Sequence, residues 1–241
     1  MRPSKTASKR ASKRASKTEH VSLAVVVAAV TLFGGVVCGG GLSYKVEDSA
    51  MDSVPSADRM AVFDARRDVE IAQGERRTAD SQLDGLDRDR DIADKERQQA
   101  QLEVEKAAAE LEASVAARDE NRHAAANHGK DVADLGMKAA EAKLDWLAQK
   151  KTWYKANRSA ADAHLAAAEA KVELEKARVA KQKGIKTNDD IDVGKFESQS
   201  KGRDSDWQSA KKDAESEQKS AQKLEEKWKD LVSQHSKAQG G

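Results

Sequence analysis

The chain has 241 residues, with 43 basic and 42 acidic side chains and a formal net charge of +1. Aromatics supply 4% of it, proline occurs twice and cysteine once. These figures exclude a disulfide framework or a cysteine-built metal site within one chain, and they leave too little bulk for a wide globular core.

The near-zero charge conceals two opposite parts. Residues 1–20 hold seven bases (Arg2, Lys5, Lys9, Arg10, Lys13, Arg14, Lys17) against Glu19, a balance of +6. The rest holds 36 bases and 41 acids, a balance of −5, which makes the long part a poor nucleic-acid ligand. Ser4 to Thr18 repeats SKTA, SKRA, SKRA, SKT and has no apolar face, so 1–20 reads as a disordered basic tail. Its plainest task is to mark the cytoplasmic side of a membrane. Contact with anionic head groups or nucleic acid, or phosphorylation, are the alternatives.

Val21 to Tyr44 then passes 24 residues without a formal charge. With the basic tail before it, the stretch predicts a transmembrane or signal segment over 21–44, the tail cytoplasmic and the remainder exported. Three readings are open. The first is an uncleaved signal anchor, in which Gly35 and Gly39 form a small-xxx-small pair that lets two such helices approach. The second is a signal peptide cut near Gly39. The third rests on Leu32-Phe33-Gly34-Gly35-Val36-Val37-Cys38-Gly39-Gly40-Gly41, which resembles the end of a bacterial lipoprotein signal. That resemblance implies lipidation at Cys38, although Val37 stands where such signals carry Gly, Ala or Ser.

Residues 45–56 read as a polar linker, with Ser53 or Ser56 capping the helix that follows. From there a heptad predicts coiled-coil helix 1 over 57–122. One row is Val62, Val69, Arg76, Leu83, Arg90, Arg97, Val104, Leu111. The other is Ala65, Ala72, Ala79, Leu86, Ala93, Ala100, Ala107, Ser114. Asn121, His123, Asn127, His128 and Gly129 predict a hairpin turn over 123–131. Helix 2 is expected over 132–183, its first seam carrying Trp146 and Trp153 and a second stripe carrying Leu144, Leu147, Tyr154 and Leu165. The heptad phase also runs unbroken from 62 to 132, as one continuous helix would require. Size complementarity favours the hairpin: folding near 126 sets Trp146 against Ala107 and Trp153 against Ala100. A polar connector over 184–202 leads to helix 3 over 203–238, where Trp207, Ala214, Ala221, Trp228 and His235 keep 3-4 spacing. That helix is expected antiparallel on helix 2, with Trp228 near Trp153 and Tyr154. The expected fold is all-α: a long antiparallel coiled-coil hairpin with a third packing helix.

No phosphate-cradling loop, nucleophile elbow or metal-ligand spacing is present, and His123 and His128 lack a third ligand. The chain is expected to be no enzyme, with no cofactor, no metal and no small-molecule substrate. Trp146, Trp153, Trp207 and Trp228 are read as core residues, or else as a row that docks a partner. In design the whole chain resembles bacterial membrane-anchored or lipoprotein-type periplasmic coiled-coil envelope proteins. That pattern-level likeness implies a structural tether, spacer or scaffold with protein partners along its coiled-coil faces, including self-association. Localisation is expected at the cell membrane, single pass, with the rod periplasmic or extracellular; an outer-membrane lipoprotein is the alternative. An adaptor similar to the hairpins of transport-complex periplasmic subunits, and a holdase-like chaperone, compete. Both lack the β-rich body those proteins carry. A tail that binds nucleic acid over an oligomerising rod is the fourth option.

Overall fold

The computed structural model describes residues 41–185 and 191–240. The basic tail, the apolar segment to residue 40, and with it Gly35, Cys38 and Gly39, lie outside the described residues. The described part is helical throughout: two short 3-10 turns, Asp48–Met51 and Ser56–Arg59, then α1 (Met60–Ala117), α2 (Glu120–Gln182) and α3 (Val193–Gln239). Ala, Glu, Lys, Gln and Arg dominate these spans, so propensity supports every turn. At 1.5 Å per residue α2 is about 95 Å long.

The hairpin turns earlier than the Asn/His/Gly cluster suggests. Arg118 adopts a left-handed backbone, φ 54° and ψ 33°. Asp119 then caps α2, its side chain accepting from the Asn121 and Arg122 N–H groups. Two residues make the reversal, and 123–131 are interior α2. Gly129 has open space where a Cβ would stand. His123 is held by Ser114 Oγ at 3.2 Å and Asn127 Nδ2 at 3.0 Å. A strong Asp cap one residue after a tolerated αL arginine outweighs a glycine whose freedom the fold does not use.

The earlier turn changes the register. Arg76–Asp162, Asp80–Arg158 and Asp87–Lys151 bridge α1 to α2 with residue numbers summing to 238. Asp68–Lys171, Glu75–His164 and Glu96–Lys143 sum to 239. The expected fold near 126 required sums near 251, a slip close to two heptads. Such a slip preserves the apolar phase, so the hydrophobic pattern could not detect it.

α2 is the central helix, with α1 and α3 both antiparallel on it; α1 and α3 make no backbone approach to each other. The two faces of α2 take the opposite partners from those expected. Leu147, of the second stripe, packs on Leu86 and Ala93 of α1. Trp146 and Gln149, of the first seam, meet Trp228 and Glu217 of α3. Apart from Val62 at the start of the helix, the buried residues of α1 all belong to the row Ala65, Ala72, Ala79, Leu86, Ala93, Ala107, Ser114. Arg76, Arg90 and Arg97 stand outside it, exposed. The arginines therefore cost no burial, and Arg76 supplies a rung of the ion-pair ladder.

The expected linker and connector are mostly structure. Val46, Met51 and Val54 are buried at one end of the bundle with Val62, Val172, Leu174, Val179 and Phe196. Gly184, at φ 65°, ends α2, and the Ile185 N–H reaches back to the Ala180 carbonyl at 2.9 Å. This is a left-handed helix stop that folds Ile185 onto the same cluster. Asp192 then caps α3 through the Gly194 N–H, ten residues before the expected start. This end, where α1 begins and α2 ends, is the base; residues 117–120 are the tip.

Candidate docking grooves and the base strap

The four tryptophans are all half-buried. Trp146 stacks on Trp228, ring centroids 4.9 Å apart and planes 10° apart. Lys150 lies 4.8 Å over Trp146, and Lys143 lies 5.8 Å over Trp228 while pairing with Glu96 of α1. Trp207 stacks on His164 at 4.2 Å, and His164 Nδ1 sits 2.6 Å from Glu75 of α1. Trp153 meets Tyr154, its neighbour in sequence, and not Trp228 as expected. Three of the four thus join α2 and α3, with a lysine or histidine carrying the contact on towards α1.

Because α1 and α3 flank α2 without meeting, grooves open between them. One near the tip, about 300 Å³, is floored by Gly136, Ala139 and Ala140 and walled by Trp228, Val232 and His235 opposite Glu96 and Glu103. Gly136 fits closely there: His235 Nε2 lies 3.0 Å from where its Cβ would stand, so a larger residue would push the imidazole aside. A second, about 890 Å³, runs towards the base past His164, Trp207, Lys171 and Leu174. Both have small-residue floors and mixed-charge walls, a geometry that accepts a helix or extended segment more readily than a small molecule.

At the base an N-terminal strap closes the molecule. The Tyr44 N–H donates to Gln199 Oε1 and the Tyr44 carbonyl accepts from Gln199 Nε2, both at 3.0 Å. The Val46 N–H donates to Glu173 Oε2 at 2.7 Å. Lys176 sits 2.8 Å from both Glu173 and Asp48. Hydrogen bonding and charge from Lys176 hold the Asp48 carboxyl below its ordinary value. Burial pulls the Lys176 ammonium down, but its bonds to Asp48 and Glu173 outweigh that and raise it. The hydrogen bond that Arg178 donates to Glu197 likewise raises its guanidinium.

Sequence reasoning missed this strap. The available signal was that Ala170, Val172, Leu174, Ala177, Val179 and Ala180 spread the apolar surface widely at the end of α2, confining the polar side to the stripe Lys171, Glu175, Arg178 and Gln182, so something besides α1 and α3 had to cover it.

Among the described residues no cluster of three or more His, Cys, Asp or Glu is arranged to hold a metal ion. No helix among them is long and apolar enough to cross a membrane. No family model, curated protein or solved structure matches the chain.

Proposed function

We propose that this chain is a membrane-anchored, extracytoplasmic coiled-coil scaffold. The observation that carries the reading is the order of parts: seven bases, then 24 charge-free residues, then a three-helix bundle. A basic flank holds its side in the cytoplasm and sends the far side across. The bundle then acts as a stiff spacer about 95 Å long at 1.5 Å per residue of α2. Its partner is a protein segment laid along the α1–α3 grooves, where Trp207 and Trp228 offer aromatic contact. The reading is non-enzymatic: among the described residues the carboxylates lie mainly on solvated faces amid bases, and those along the grooves stand in open clefts that do not desolvate them.

Lipid attachment at Cys38 is the second reading, favoured by the apolar run before that cysteine and the three glycines after it. It leaves the bundle on the same side of the membrane. The test is protease added outside intact spheroplasts expressing the full chain with a C-terminal tag. Loss of the tag supports export. A tag that survives until the cells are lysed contradicts it. Incorporation of labelled palmitate that disappears in Cys38→Ser would select the lipidated form.

A further inference from the structure

We propose that the base of the bundle rests directly on lipid head groups, through Tyr44 with Lys195 and Phe63 with Arg59. The inference depends on the anchor reading above.

The charge-free stretch ends at Tyr44, and Tyr44 already belongs to the fold. Its backbone is bound on both sides by Gln199, and its ring lies 5.8 Å from buried Phe196. Two residues later Glu173 grips the Val46 N–H at 2.7 Å. The chain therefore has no slack after Ser43. Residues 39–43 span at most about 18 Å fully extended. If the apolar segment leaves the membrane near Cys38, that tether keeps Tyr44 within about 18 Å of the bilayer surface, a reach that lets the base meet the head groups.

The chemistry of that end suits the position. Tyr44 and Phe63 are exposed at 39% and 40%, and Met60 at 58%. Lys195 Nζ lies 5.9 Å from the Tyr44 ring centroid, and the Arg59 guanidinium carbon 5.6 Å from that of Phe63. An aromatic ring with a cation over it is matched to the bilayer boundary: the ring enters the interfacial layer and the cation meets phosphate. Arg59, Lys195 and Lys45 have no carboxylate partner among the described residues, whereas Asp48 and Asp58 are already taken by Lys176 and Lys183. Among the described residues Glu47, Asp52 and Asp192 are the acids left without a cation at this end. An anchored chain does not need a strongly positive base, only cations within reach of phosphate: Lys45 and Lys195 are exposed, and Arg59 is half-buried with its Nε unpaired.

Photocrosslinking of the full chain tests this. Benzoylphenylalanine replaces Phe63, Leu102 or Val115, one at a time, in vesicles of phosphatidylethanolamine and phosphatidylglycerol. All three positions are exposed on α1, and Leu102 lies about 63 Å along the helix from Met60. The expected result is a lipid adduct at 63, none at 102 or 115, and retention of the chain through an alkaline carbonate wash. Arg59→Ala should lower the adduct at 63 several-fold without releasing the chain. Retention with no adduct at 63, or with equal adducts at all three positions, overturns the inference and leaves the anchor standing. Release in the wash overturns the anchor, and the inference with it.

Discussion

The base and the stalk are held together by different means. At the base, Val, Leu, Met and Phe from three helices and the N-terminal strap surround a buried Glu173–Lys176 pair. Along the stalk, α1 meets α2 through a single file that is mostly alanine, bordered by ion pairs. Alanine buries little area per layer, so the stalk gains stability from repetition. The base concentrates its apolar area in one place and adds polar groups that must be paired. One design resists any single small change. The other fails when one partner is removed.

The largest effect is therefore expected at the base. Lys176→Ala leaves Glu173 buried without its cation and should cost about 3–5 kcal/mol in chemical denaturation. A loss near zero would mean that solvent reaches Glu173 and the strap is open. In the stalk the damaging change is enlargement. Ala93, fully buried against Leu147, cannot accept extra atoms without parting the helices. Ala93→Leu should destabilise by about 1–3 kcal/mol, read the same way. A neutral outcome would mean that this row does not face α2.

A smaller effect of opposite sign separates the two candidate turns. Gly129 lies in helix with open space around it, so Gly129→Ala should stabilise by up to about 1 kcal/mol. A true turn at 129 would make the same change harmful, and thermal melting decides the sign.

The gentlest probe of the base is pH. Asp48 is held below its ordinary value of 3.8, so its contribution is present above that pH and lost as pH falls through the lowered folded value. Lys176 is raised above 10.5, so its contribution holds below that pH and fades as pH rises through the raised value. The melting-temperature gap between the native chain and Asp48→Asn should be constant near neutrality and close below pH 3.8. A gap that persists in stronger acid would remove the Lys176–Asp48 bond from the account.

The sequence carried the helical class, the α1 alanine row and the α3 seam, because a period sustained over many turns survives tertiary context. It did not carry the register. Sliding α2 along α1 by two heptads leaves alanine facing apolar residues in either arrangement, and the discriminating information lay in charge. Asp68, Glu75, Asp80, Asp87 and Glu96 find cations or His164 on α2 at a nearly constant sum, a pattern that periodicity ignores. The exchange of faces on α2 has a similar origin. Two stripes, each mixing large and small residues, are equivalent until a partner is assigned. The Trp146–Trp228 stack and the fit of Leu147 to Ala93 make that assignment. The strap was illegible for another reason: Val46, Met51 and Val54 are isolated apolar residues in a polar stretch, and only long-range contacts give them meaning.

The pairing of α1 with α2 supports everything built on it, and a crosslink reads it directly. In a full chain carrying Cys38→Ser, cysteines at 87 and 151 should be joined within one molecule by a short bis-maleimide, since Asp87 and Lys151 are ion-paired across the seam. Cysteines at 87 and 164, whose numbers sum to 251, should stay unlinked. Efficient linkage of the second pair but not the first, or linkage only between molecules, would contradict the hairpin described here.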